Sequence, residues 1–227
     1  MADDRTRAFL ESRLNYESRG MPALAELRVD RTAMLVEELG QPHHRLRVVH
    51  VAGTKGKGST STMIATLLRE SGHRVGLHTS PHLLQVEERF RIDGIPILPT
   101  LFDQLIDEMR PAIDRVDELL SPTQPSLTFF EITTALTLLY FARERVDWAV
   151  IEVGMGGRLD STNVVDPQVS VITSISLDHT RQLGDTIAQI AFEKAGIIKP
   201  GKPVVSTVRA PDAIPVIQRK AQEMESR

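Results

Sequence analysis

Residues 48–62, VVHVAGTKGKGSTST, run from an apolar strand into glycines, lysines and a cluster of hydroxyls. Such a stretch suits anion binding. Glycine admits positive φ, so successive backbone N–H groups can turn inward around a phosphate. A helix beginning just after the loop adds unpaired donors and the positive end of its dipole. Lys57 supplies a mobile charge able to follow a phosphoryl group in transfer. The candidate phosphate contacts are Gly53, Thr54, Lys55, Gly56, Lys57, Gly58, Ser59 and Thr60. The spacing departs from the ordinary phosphate loop, in which lysine is followed at once by a Ser or Thr that ligates Mg²⁺. Gly58 has no hydroxyl, so Ser59, Thr60 or a hydroxyl elsewhere in the chain must take that part. The bland alternative is a solvated glycine turn with a surface lysine. The strand–loop–helix setting argues against it.

Further along, Glu152 interrupts the apolar run AVIEVG. A buried carboxylate is costly unless paired or metal-bound. It reads either as a salt-bridged structural residue or as the acidic Mg²⁺ partner of the phosphate loop. His179, in SLDHT, is open between a hydrogen-bonded residue and a metal ligand, since Mg²⁺ prefers oxygen. The histidines at 43, 44, 50, 73 and 78 read as structural or solvated, and Lys194, in FEKAG, as a surface helix lysine.

These residues need elements to position them. RLRVVHVAG (45–53), RVGLHTS (74–80), DWAVIEVGMGG (147–157), VSVITSIS (169–176) and KPVVST (202–207) have the composition of strands. Helical spacing or composition covers 5–18, 30–40, 57–71, 100–119, 128–145, 185–196 and 212–225, with a hairpin at 88–97 turning on Asp93-Gly94 and a loop at 121–126. Strands alternating with helices predict a mostly parallel sheet flanked by helices. Segments 53–60, 152–160 and 176–180 each follow a predicted strand, so they are expected to converge at one sheet edge, where such folds bind ligands.

The 227 residues hold no cysteine, which excludes disulfides and thiolate metal sites. A net charge of −3 gives no support for a nucleic-acid or membrane-surface partner held by bulk charge. The charged start MADDRTRAFLESR lacks a signal-peptide core, and no run approaches ~18 apolar residues. The expectation is a cytoplasmic enzyme.

Taken in order, GTKGKGS, TSPHL, FFE, EVGMGGRLDSTN, SLDHT and EKAGIIKPG closely resemble the folylpolyglutamate synthase / dihydrofolate synthase family of the Mur ligase superfamily, over roughly residues 45–208. The resemblance implies a phosphate-loop ATPase domain and an ATP-dependent ligase, a monomer, acting on small molecules: pteroate or folate, glutamate and ATP. It implies Mg²⁺ ligands at Ser80, Glu152 and His179, a carbamylated lysine at Lys194, and catalytic roles for Lys57, His179 and Lys194. The pterin-recognition loop falls on SPHLLQVEER, which includes Pro81, His82, Glu88 and Arg89. An amino-terminal helical segment (1–44) would precede an ATP-binding domain (45–227) that is incomplete, with the family's carboxy-terminal domain absent. Lys55 stands where the family loop has Asn. The rivals are a relative acting on UDP-muramoyl precursors, although only about fifty residues precede the loop, a non-catalytic nucleotide-binding module, and a simple phosphate-loop kinase, which would want a hydroxyl at position 58.

Overall fold

A computed structural model describes residues 3–19, 27–120 and 125–227. Most of the expected loop at 121–126 lies outside these. Five parallel strands form the centre of one sheet: β1 (Val48–Ala52), β2 (Val75–His78), β5 (Trp148–Glu152), β6 (Val169–Ile172) and β7 (Val204–Ser206). A hairpin of β3 (Phe90–Ile92) and β4 (Ile95–Pro96) adds antiparallel to β2, giving the order β4-β3-β2-β5-β1-β6-β7. Its turn sits at Asp93 and Gly94, both at positive φ, as the Asp-Gly pair predicts.

The strands are buried on both faces, and alternate residues serve different cores. Val48, Ala149 and Ile151 pack with α3 (Val29–Glu38), α5 (Pro99–Leu119) and α6 (Phe129–Arg143). Val49, Val51 and Val150 pack with Ala65 of α4 (Lys57–Glu70) on the other face. A third cluster joins Ala52 and Ile172 to α8 (Ile187–Ala195) and α9 (Ile214–Glu223). Helix α5 shows the helical spacing of buried residues, with Phe102, Leu105, Ile106, Met109, Ile113 and Val116 facing in. Helix α6 is buried nearly all round, because it lies between the sheet and α3 and α5.

The predicted helix at 5–18 is broken. Helix α1 (Asp4–Ser12) ends where Arg13 turns extended, and α2 (Tyr16–Arg19) restarts after Asn15, whose side chain accepts from the Glu17 N–H. Asn favours such local caps over helix interior. Predicted strands 147–157 and 169–176 also stop early, at Glu152 and Ile172, where the backbone leaves the ladder to build loops. Among the described residues, no helix is long and apolar enough to cross a membrane.

Candidate active site

Because β1, β2, β5 and β6 run parallel, their carboxyl ends share one edge, and β1 lies between β5 and β6. The chain leaves the sheet there in four loops. The first is the glycine loop. Gly56 takes φ of 80° just before α4, a conformation open to glycine without cost, and Lys57 opens the helix. The loop is braced from the β6 side. The Thr54 N–H donates to the Ser174 carbonyl (2.7 Å), the Ser176 N–H to the Thr54 hydroxyl (3.1 Å) and the Lys55 N–H to Ser174 Oγ (3.0 Å). Thr54 is thus buried and committed to the loop, while Ser59 and Lys55 are exposed. Lys55 Nζ lies 3.4 Å from Asp178 Oδ2.

The end of β5 carries Glu152, which is buried. Among the described residues it touches no cation in a salt bridge, so the structural-pair reading finds no support. It accepts instead from the Ser80 N–H, 3.1 Å from Oε2. Burial raises the Glu152 carboxyl above its ordinary range, while the Ser80 N–H and the Lys57 charge pull it back. Position 58 faces this carboxylate. A Cβ there would sit 3.4 Å and 3.6 Å from the two Glu152 carboxylate oxygens. The same carboxylate takes the Ser80 N–H.

A cavity of about 320 Å³ gathers Lys57, Ser80, Pro81, Gly154, Asp160 and His179 on its wall, with Tyr16, Arg31, Phe130 and Glu131 from the helical side. Lys57, Ser80 and His179, from three different loops, therefore meet at one cavity, and Glu152 is fixed to Ser80. His179 adopts φ of 48° ahead of α7 (Thr180–Leu183), and its N–H is held by the Asp178 carboxylate (3.0 Å). The donor set fits a hard cation. The Ser80 hydroxyl, which hydrogen-bonds nothing among the described residues, and the Glu152 carboxylate are both oxygen ligands of the kind Mg²⁺ takes.

Lys194 is no surface lysine. It is 4% exposed, with Nζ donating to the Gly53 carbonyl at 2.9 Å. Burial, then the nearby Lys57 charge, lowers it from 10.5 to about 8. Its helix is tied to the 154–160 loop: the Arg158 N–H donates to the Glu193 carbonyl (2.8 Å), and the Arg158 guanidinium pairs with the Glu193 carboxylate (2.9 Å).

The SPHLLQVEER segment divides. Ser80 and Pro81 line the cavity, and His82 lines a neighbouring hollow under α1. Glu88 gathers the N–H groups of Leu83, Leu84 and Gln85 at 2.9–3.0 Å, and Arg89 is fully buried. His50 and His78 are buried and shifted down to about 3 by desolvation, so both are neutral core residues. Sequence reasoning did not single out Asp160, although it lies in the EVGMGGRLDSTN segment. It is buried, accepts from the Met155 N–H (2.8 Å), the Thr162 N–H (3.0 Å) and the Thr162 hydroxyl (2.5 Å), and faces the cavity. Nor does any sequence signal mark the buried Arg31–Glu131 ion pair (3.0 Å), whose partners lie a hundred residues apart.

Replacing Gly58 by Ser tests this geometry. The new hydroxyl would lie within reach of Glu152 and occupy the carboxylate. The expected result is about tenfold weaker Mg²⁺-dependent nucleotide binding, read by calorimetry with and without the metal. An ordinary kinase loop predicts the opposite, a gain in Mg²⁺ affinity.

A parallel sheet with a glycine loop, an acidic strand end and a buried lysine at one edge defines an α/β phosphate-binding domain. Residues 51–224 match the Mur ligase middle domain, and the chain belongs to that family. It is 43% identical over 217 residues to the dihydrofolate synthase/folylpolyglutamate synthase of Bacillus subtilis (strain 168), covering 95% of this chain and 48% of that one. It is 45% identical over 190 residues to the folylpolyglutamate synthase of Lacticaseibacillus casei, covering 84% and 44%. The solved FPGS–AMPPCP–folate complex superposes with a TM-score of 0.89 at 40% identity, over 100% of this chain and 53% of that chain. Mycobacterium tuberculosis folylpolyglutamate synthase complexed with ADP gives a TM-score of 0.88 at 36% identity, covering 98% and 48%. The chain thus spans about half the length of the relatives it matches.

Proposed function

We propose that this chain forms the ATP-binding half of a ligase that joins L-glutamate to dihydropteroate or a reduced folate through an acyl phosphate. The observation that carries the reading is the meeting of Lys57, Ser80 and His179 at one cavity, with Glu152 hydrogen-bonded to Ser80. A carboxylate is a poor electrophile and an amine is protonated in water, so their direct condensation needs activation. The glycine-loop N–H groups and Lys57 orient the γ-phosphate and spread its charge as the substrate carboxylate attacks. The glutamate amine then displaces phosphate from the acyl carbon, in a site that keeps water out. Ser80, Glu152 and His179 would hold Mg²⁺, which when bound draws charge from the transferring phosphoryl group. Thr54, by its hydrogen bonds, holds the loop open. Pro81 lies where the pteridine-bearing substrate enters, and His82, Glu88 and Arg89 shape that loop.

The reading includes a carbamate on Lys194, a division at residue 44/45 into a helical segment and an ATP-binding unit, and a carboxy-terminal domain that completes the site in the whole ligase. It is supported by the names of the similar proteins and by the solved neighbour that holds AMPPCP and folate. The test is incubation with MgATP, dihydropteroate and glutamate, with phosphate release measured. Release that requires both acceptors is expected when the completing domain is supplied. ATP binding without any turnover would favour a non-catalytic nucleotide module, and turnover on a UDP-muramoyl substrate would favour a cell-wall role.

A further inference from the structure

The 80–89 loop is held by Glu17, which stands on the wall of the same cavity as Lys57, Ser80 and His179. Arg89 is buried to 0% exposure, and its side chain ends in a guanidinium. Its guanidinium donates to both carboxylate oxygens of Glu17 on α2, Nη1 to Oε1 at 3.0 Å and Nη2 to Oε2. The same guanidinium donates from Nε to His82 Nδ1 at 2.8 Å and lies 5.1 Å from the Phe129 ring centre. Its backbone carbonyl is bonded to His78 Nδ1 at the end of β2 (3.1 Å). The guanidinium therefore closes the loop on itself, tying its end to the third residue, His82. Between them, Glu88 gathers the three N–H groups of the loop tip. Two residues before His82 stands Ser80, pinned on its other side to Glu152.

From this geometry we propose that Glu17 is a positioning residue, which through Arg89 and His82 sets where Ser80 presents its hydroxyl to the metal. The role rests on the proposed function, since it gives Ser80 a metal to hold. The physical logic is that of a buried charge. An arginine taken out of water is stable there only while paired. Glu17 is the carboxylate its guanidinium pairs with through both oxygens. With that charge gone, the guanidinium is driven toward water and away from His82, and the turn carrying Ser80 loses its brace. The phosphate loop, on β1 and α4, shares none of these contacts. Outer residues that orient a metal ligand are worth about 10- to 100-fold in metal affinity.

The experiment uses the 227-residue chain with AMPPCP as the probe. Binding is measured by calorimetry, first without Mg²⁺ and then across a Mg²⁺ titration. In Glu17→Gln the metal-free AMPPCP affinity is expected within about twofold of the parent, while the Mg²⁺ needed for half-maximal enhancement rises about tenfold. Glu17→Asp, which keeps the charge, should recover part of that loss. His82→Leu leaves the ion pair intact and removes only the relay, so it serves if Glu17→Gln does not fold, and the same shift in Mg²⁺ requirement is expected. An unchanged Mg²⁺ requirement in either folded variant overturns the role while leaving the function standing. Equal losses with and without the metal also overturn it, because they mark general damage. A parent chain that binds AMPPCP with no Mg²⁺ dependence overturns the function and this role together.

Discussion

In Lys57→Met, phosphate release from MgATP is expected to fall about a thousandfold while the fold survives. Methionine keeps the unbranched stem, so the first turn of α4 and its packing lose little. What disappears is the only glycine-loop cation on the cavity wall beside Ser80 and His179 among the described residues. Lys55 is no substitute: its side chain is 78% exposed and spends its charge on Asp178, 3.4 Å away. Two further consequences come from the same field. The Lys57 charge lowers Lys194 and restrains the rise of Glu152, so in the variant both groups shift upward. Single-turnover phosphate release and a thermal melt make the measurement. A loss below about tenfold with an unchanged melt would mean that Lys55 carries the transferring charge after all.

How much of this the sequence revealed depends on how local the cause was. Strands β1 and β5 were legible because burial on both faces makes them continuous apolar runs, and the β3–β4 hairpin because Asp93-Gly94 is a turn chemistry in itself. Gly58 was legible as an anomaly, and the structure shows what the position faces, the Glu152 carboxylate, in van der Waals contact with where a side chain would begin. Lys194 was not legible from its own surroundings. Helical periodicity marks which face a residue is on, but α8 is covered by the glycine loop, and that contact spans 141 residues. The resemblance to a family named the residue where spacing could not. Arg89 shows the opposite limit. The resemblance placed it only within a recognition segment, and the structure adds what spacing could not, its burial and its pairing with Glu17. The break between α1 and α2, which brings Glu17 there, turns on Asn15 capping one N–H, a choice that a helical apolar pattern does not encode.

The second large effect concerns Lys194. Activity of the completed ligase is expected to depend on dissolved CO₂, and Lys194→Met to abolish both that dependence and about 10²- to 10³-fold of the rate. The chemistry starts from the neutral amine, whose lone pair attacks the carbon of CO₂. A nitrogen–carbon bond forms, one proton leaves for solvent, and a carbamate anion remains. With the amine lowered to about 8, about one molecule in ten carries neutral Lys194 near pH 7, against about one in several thousand for an ordinary lysine. The same burial imposes a cost on the unmodified protein. The folded value lies below the unfolded 10.5, so between about pH 8 and 10.5 the unfolded chain binds more protons, and stability rises with pH across that window. Below pH 8 the full penalty, about 3 kcal/mol, stands against the fold. Methionine removes the penalty together with one hydrogen bond to Gly53, worth about 1 kcal/mol. The variant should therefore melt no lower than the parent near neutral pH, and its stability should lose the rise above pH 8. Denaturant titrations at about pH 7 and about pH 10 read this directly. Labelled bicarbonate followed by nuclear magnetic resonance reads the carbamate. A variant that loses activity and gains stability marks a lysine held where the fold would not place it, and a variant that loses both marks one that only packs.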